Sequence, residues 1–112
     1  MGEREISPDA RVLNDHSRTM VIRTRDPHEV LKALSDRTDV LLEGGPTLAG
    51  AFLRAGAIHR IVAYVAPMLL GGPITAVDDV GVLSIANAQR WRFDGVTPIG
   101  PDVLLSLVPG PA

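Results

Sequence analysis

The sequence predicts an α/β fold in which strands alternate with helices before an antiparallel hairpin closes the C-terminal end. Runs rich in β-formers alternate with segments of helical spacing between residues 19 and 65. This order is typical of a parallel sheet with helices packed on it. After residue 67 a loop rich in glycine and proline begins, and two strand-like runs follow near residues 89–96 and 103–108. We therefore expect about five strands.

The first predicted strand, at residues 19–24, leads into a helix whose start is marked by three residues. Asp26 can cap the helix, Pro27 suits its first position, and Glu29 completes a capping box. Apolar residues at helical spacing predict that this helix continues to about Ser35.

The second strand and helix flank the most distinctive motif of the sequence. A compact apolar run at residues 39–42, expected to be a strand buried on both faces, leads into the motif EGGPT at residues 43–47. A helix is predicted over residues 46–55, with Gly56 as its C-terminal stop. The next strand is predicted at residues 58–65.

The motif at residues 43–47 suits a phosphate group. A helix N-terminus presents unpaired backbone N–H groups and a partial positive charge, and Gly44 and Gly45 remove side chains that would hold a pyrophosphate away. Thr47 adds a hydroxyl donor, and Glu43 ends a predicted strand, where open α/β sheets bind their ligands. The dinucleotide-binding and P-loop fingerprints are both lacking. A Gly-Gly-Pro between a strand and a helix is often only a tight turn, and that interpretation stays open.

Composition narrows the possible partners and chemistry. The chain has 112 residues, of which 46% are hydrophobic, and this supports one domain with a core. Its net charge of −2 and lack of a basic stripe disfavour nucleic acid.

Without cysteine there is no disulfide or thiolate ligand, and His16, His28 and His59 lack metal-ligand spacing, so no metal site is expected. No segment suits a signal peptide or a membrane span, so we expect a cytoplasmic chain that does not bind membranes.

From Thr38 onward the sequence resembles the reductase domain of the riboflavin-specific deaminase/reductase family. The resemblance is carried by VLLEGGPTLA at residues 40–49, VAPMLLGG at 65–72 and GPDVLL at 100–105, in the family's order and spacing. It implies a mixed sheet with flanking helices similar to that of dihydrofolate reductase, with the N-terminal half of the fold missing. We accordingly expect an irregular segment at residues 1–15 and the cofactor side of a partial reductase domain at residues 16–109.

The resemblance also implies a site for NADPH, although it assigns no catalytic residue. In this fold a Gly-Gly turn at a helix N-terminus holds the cofactor's pyrophosphate. Glu43 would face the substrate and the nicotinamide, and Thr24 and Arg25 are candidates for contact with the adenosine 2′-phosphate. Five residues would contact the pyrophosphate or shape the turn around it: Gly44, Gly45, Pro46, Thr47 and Leu48.

The implied reaction is the NADPH-dependent reduction of 5-amino-6-(5-phosphoribosylamino)uracil to its ribitylamino product in riboflavin biosynthesis. Two alternatives stay open: a non-catalytic fragment that binds a nucleotide or only oligomerises, and a related reductase of dihydrofolate or another pteridine. A sheet edge without its neighbouring strands would expose backbone and apolar groups, so self-association as a homodimer is expected.

Other residues have simpler interpretations. Asp78 and Asp79 lie in a loop flanked by glycines and are expected to be solvated rather than catalytic. Met68 and Leu69 are expected to lie in the core. His59-Arg60 stands where the reductase family that this sequence resembles usually carries an acidic pair. We expect this difference to alter a surface or subunit contact.

Overall fold

A computed structural model describes residues 1–14 and 16–111, in two compact units that divide between Leu42 and Glu43. Position 15, the last of the predicted irregular segment, lies outside the described residues. No helix in the described ranges is long and apolar enough to cross a membrane. The first unit contains a 3-10 turn at Arg11–Leu13 and helix α1 at Pro27–Ala33; the second contains helix α2 at Pro46–Arg54, strand β1 at Ile61–Val65, a 3-10 turn at Ile85–Asn87, strand β2 at Trp91–Ile99 and strand β3 at Asp102–Pro109.

Helix α1 begins at the predicted residue, but its cap differs from the predicted one. The Asp26 side chain accepts a hydrogen bond of 2.9 Å from the backbone N–H of His28. The capping box does not form, because the Asp26 N–H donates to Thr24 Oγ1 at 3.1 Å and the Thr24 hydroxyl donates to the Glu29 carboxylate. The Thr24 hydroxyl therefore lies between the Asp26 N–H and the Glu29 carboxylate, which would bond to each other directly in a capping box.

The two strands predicted in the first unit are absent. Residues 19–24 and 39–42 have no regular secondary structure, and Leu41, expected to be buried on both faces, is 81% exposed. The preference of such runs for strands expresses packing against a neighbouring strand. The described part of this unit contains no strand with which they could pair.

Helix α2 ends at Arg54, and the predicted stop residue, Gly56, lies just after its C-cap residue. Gly56 has a φ of +66°, a backbone conformation that glycine adopts without strain. Its N–H donates to the Leu53 carbonyl at 3.0 Å, and the Ala57 N–H donates to the Phe52 carbonyl at 3.1 Å. This Schellman arrangement pairs two carbonyl groups that the end of the helix would otherwise leave open.

The three strands form one antiparallel sheet in the order β1-β3-β2. Ile61 pairs with Leu107 at one end of the β1–β3 ladder, and Ile99 pairs with Asp102 where the hairpin turns. The C-terminal hairpin is therefore confirmed, whereas two of the five expected strands and the parallel pairing are wrong for the described residues. Alternation of strands and helices orders the elements along the chain, but it does not determine which strands pair.

Much apolar surface of the second unit is exposed. Met68 and Leu69, expected to lie in the core, are 67% and 101% exposed. Val62 and Tyr64, on the edge strand β1, are also exposed. An apolar run predicts burial only where another surface covers it, and the described residues of this unit supply no such cover.

A cross-sheet ion pair connects all three strands. Arg60, directly before β1, donates through Nη1 to the Asp94 carboxylate at 2.7 Å and to the Ser106 hydroxyl at 2.6 Å. Asp94 occupies a bulge in β2, since the register shifts between Phe93 and Gly95 and leaves it without an opposing residue. The sequence predicted only a surface or subunit contact for Arg60, and the structure adds this contact within its own sheet.

This ion pair predicts a pH-dependent stability. Hydrogen bonding by Arg60, together with the charge of its guanidinium, lowers the pKa of Asp94. A carboxylate whose pKa is lowered by folding stabilises the fold above its unfolded-state pKa, and this contribution is lost as pH falls through the folded value. Asp94→Asn should therefore lower the urea midpoint at about pH 7, and the difference from wild type should shrink below about pH 4.

Urea unfolding at about pH 7 and about pH 3 tests this expectation. Asp36→Asn is the control, because it removes a carboxylate from an exposed ion pair between adjacent residues. In that pair Asp36 Oδ1 lies 3.6 Å from Arg37 Nε. This substitution should change the midpoint little at either pH. An equal loss for Asp94→Asn at both pH values would contradict the assignment.

Candidate functional site

The Gly-Gly turn leads into α2 and leaves the first backbone N–H groups of the helix without a cap. Gly45 is the N-cap residue, with φ −75° and ψ −178°, and its carbonyl accepts from the Ala49 N–H at 3.0 Å. Pro46 occupies the first helical position, and no side chain in the described part of the chain caps the helix. The N–H groups of Thr47 and Leu48 are therefore available to an anion, which the helix dipole also favours.

The two glycines of the turn have different roles. A Cβ on Gly44 would lie 2.9 Å from the Cβ of Leu48 and within 3.0 Å of its Cγ, so Gly44 is needed because Leu48 packs against it. A Cβ on Gly45 would meet nothing within 4 Å, and its φ is one that any residue adopts. Gly45 thus leaves open space beside the first helical turn.

A distant loop docks on this first turn through Asp78. Its N–H donates to the Pro46 carbonyl at 3.0 Å, and its Oδ2 accepts a long hydrogen bond of 3.5 Å from Thr47 Oγ1. The other carboxylate oxygen accepts from the Asp79 N–H at 2.9 Å, and Asp79 accepts from the Gly81 N–H at 2.7 Å. Both aspartates are exposed, as expected, but the sequence did not predict that Asp78 contacts the turn.

Gly50 makes the docking of this loop possible. It is buried in the middle of α2, and a Cβ there would lie 3.2 Å from the carbonyl oxygens of both Asp78 and Asp79. Glycine in a helix interior costs about 1 kcal/mol relative to alanine. A glycine inside a helical pattern is a sequence signal for close packing, and it is the signal from which this contact could have been predicted.

The structure also defines the surroundings of the other residues predicted for the site. Glu43 is exposed directly before Gly44. Thr24 and Arg25 belong to the first unit, and each contacts an acidic side chain. The Thr24 hydroxyl donates to Glu29, while Arg25 Nε lies 3.4 Å from the Glu3 carboxylate in an exposed pair. Exposed ion pairs are weak, so Glu3 restrains Arg25 less than the hydrogen bonds at the start of α1 restrain Thr24.

Comparison with known proteins identifies the family. Residues 2–105 match the family described as the RibD C-terminal domain. The chain belongs to this family. The riboflavin biosynthesis protein RibD of Mycobacterium tuberculosis (strain H37Rv) is 76% identical over 108 residues, which are 96% of this chain and 32% of that protein. The RibD of Escherichia coli (strain K12) is 34% identical over 107 residues, covering 89% of this chain and 29% of that protein.

A shorter relative and a solved structure extend the comparison. The 5-amino-6-(5-phosphoribosylamino)uracil reductase of Buchnera aphidicola (subsp. Acyrthosiphon pisum) is 33% identical over 78 residues, which are 67% of this chain and 37% of that protein. The structure of Acinetobacter baumannii RibD, form 1, matches 74% of this chain and 23% of its own with a TM-score of 0.64 and 34% identity. The chain spans about a third of the length of the curated relatives it matches.

These matches confirm the family that the three motifs predicted, and the structural neighbour confirms the predicted fold class, of which this chain shows the helices and the antiparallel hairpin. The predicted domain boundary at residue 16 stays a prediction.

The different roles of the two turn glycines predict different effects on stability. Gly44→Ala should lower the free energy of unfolding by about 1–3 kcal/mol, because its Cβ overlaps the Leu48 side chain. Gly45→Ala should lower it by less than about 1 kcal/mol, because its Cβ enters open space and only the cap changes. Urea unfolding of the two variants measures the difference. Equal losses would contradict the packing role of Gly44.

A further prediction concerns Gly50. The better helix propensity of alanine would stabilise Gly50→Ala by about 1 kcal/mol, but the new Cβ presses on two carbonyl oxygens. We expect no net stabilisation and at least about tenfold faster hydrogen exchange at the Asp78 N–H. Exchange measured by NMR tests this, with Gly95→Ala as control because a Cβ there makes an ordinary 3.8 Å contact with Ser106. Unchanged protection of the Asp78 N–H would contradict the docking.

Proposed function

We propose that this chain forms the cofactor-binding part of a reductase that uses NADPH to convert 5-amino-6-(5-phosphoribosylamino)uracil to its ribitylamino product in riboflavin biosynthesis. Membership of the RibD C-terminal domain family supports this reaction, as does a relative that bears the name of this reductase. The relatives reported above are riboflavin biosynthesis proteins, which favours this substrate over dihydrofolate or another pteridine.

The observation that carries the proposal is the open space at Gly45 beside uncapped N–H groups. A pyrophosphate needs hydrogen-bond donors and close approach to the backbone. The first turn of α2 offers the N–H groups of Thr47 and Leu48 and a residue without a side chain. The Thr47 hydroxyl becomes a further donor when it turns away from Asp78. These residues fit the diphosphate of a dinucleotide.

Each residue of the turn has a distinct role in the proposed site. Pro46 fixes the first helical residue, and Gly44 lets Leu48 pack back so that the turn keeps its shape. The exposed carboxylate of Glu43, one residue before the turn, would accept hydrogen bonds from substrate hydroxyl groups. Arg25, and more weakly Thr24, would contact the 2′-phosphate. When bound, NADPH supplies the hydride that reduces C1 of the ring-opened ribosyl group.

We also propose that the polypeptide acts in the cytoplasm as a dimer. Val62 and Tyr64 on the edge strand β1, and Leu69 and Leu70 after it, are exposed apolar side chains. Apolar patches and unpaired strand edges of this kind commonly mark association surfaces. The partner molecule is a small pyrimidine substrate. Because the chain has a net charge of −2, we propose no nucleic-acid partner.

An NADPH titration by calorimetry tests the proposed site. The chain should bind NADPH saturably, and Gly45→Val should weaken binding by at least roughly tenfold because its side chain fills the open space. Gly95→Val is the matched control, since the same substitution in β2 lies outside the turn. NADH should bind more weakly than NADPH, because it lacks the 2′-phosphate. The absence of saturable binding at about millimolar NADPH would overturn the proposal for this chain.

A further inference from the structure

The loop that docks on α2 brings a negative charge to a helix end that favours anions. Asp78 Oδ2 lies 3.5 Å from Thr47 Oγ1, and Thr47 contributes one of the uncapped N–H groups. The loop is anchored by the backbone, through the Asp78 N–H bond to Pro46 and the contact with Gly50. The carboxylate also accepts hydrogen bonds from Thr47 Oγ1 and from the Asp79 N–H. The two backbone contacts do not involve it, so we expect the loop to stay docked when the negative charge is removed.

This carboxylate affects an incoming phosphate in two ways. The Thr47 hydroxyl has one proton, so a hydroxyl that donates to Asp78 cannot donate to a phosphate at the same time. The carboxylate also repels the phosphate by an amount that increases with the charge on the phosphate. A terminal phosphate carries about two negative charges at neutral pH, whereas a phosphoryl group esterified on both sides carries one.

We propose that Asp78 is a specificity-determining residue of this turn, which selects a diphosphate esterified at both ends, as in a dinucleotide, over a ligand with a terminal phosphate. The inference rests on the proposed function, because it assumes that the turn at Gly45 binds a diphosphate. Asp78 makes the turn bind phosphate less strongly in general, and it penalises terminal phosphates most.

The test uses two probes that share an adenosine diphosphate group: ADP-ribose, whose two phosphoryl groups are both esterified, and ADP, which ends in a phosphate. Calorimetry gives the affinity of each probe for the full chain, for Asp78→Asn and for Asp79→Asn. Asp79→Asn is the matched control, because Asp79 is the adjacent carboxylate and bonds to Gly81 rather than to the turn.

Wild type should bind ADP-ribose more tightly than ADP. One unit charge at roughly 8 Å in a water-like dielectric changes affinity about twofold. The phosphoryl group nearest Asp78 carries one charge in ADP-ribose and about two in ADP. Counting that group alone, Asp78→Asn should tighten ADP-ribose about twofold and ADP about fivefold, and so reduce the selectivity. The backbone anchor of the loop remains in this variant, so its thermal unfolding should match that of wild type. Asp79→Asn should leave the selectivity unchanged.

The outcomes separate this inference from the proposed function. If wild type binds neither NADPH nor ADP-ribose, the proposed site itself fails and the inference fails with it. If wild type binds ADP-ribose and Asp78→Asn has the same selectivity, only the assignment to Asp78 is overturned. Equal weakening of both probes with a lower unfolding temperature would show that Asp78 is structural, and this would also overturn the inference.

Discussion

The second unit depends on the pairing of backbone groups along strand β3, which is the strand that pairs with both of the others. Backbone N–H and C=O groups must find partners wherever they leave water, and β3 supplies them to β1 on one side and to β2 on the other. The same requirement explains why the two predicted strands do not form in the described part of the first unit. Residues 19–24 and 39–42 contain suitable side chains for strands, but no strand lies within the described part of that unit to accept their hydrogen bonds.

The start of α2 shows how three glycines of one segment serve different purposes. Gly44 leaves room for the Leu48 side chain to pack, and Gly45 leaves the space beside it open. Gly50 lets the backbone of a distant loop pack against the helix. A motif search treats the first two alike and passes over the third. The difference depends on which atoms lie near each missing Cβ, and this is a property of the packed structure rather than of the motif.

The charges around this turn balance attraction against selectivity. The helix end attracts anions, and the loop that carries the Asp78 carboxylate is held beside it by a backbone hydrogen bond to Pro46 and by close packing on Gly50. A second ion pair, between Arg60 and Asp94, has a different role, because it bridges three strands at a bulge of the sheet. Both acidic groups come from segments far along the chain from their partners, so spacing along the chain does not predict either contact.

The sequence by itself determined the features that depend on neighbouring residues. These were the Asp26-Pro27 start of α1, the Gly56 end of α2, the C-terminal hairpin and the motif that indicates the family. Only the tertiary structure decided that β1 pairs with β3, that Met68 and Leu69 are exposed, and that Asp78 and Arg60 contact distant elements. The physical reason is range: caps and turns are set by hydrogen bonds within a few residues, whereas strand pairing, burial and ion pairs depend on segments that only folding brings together.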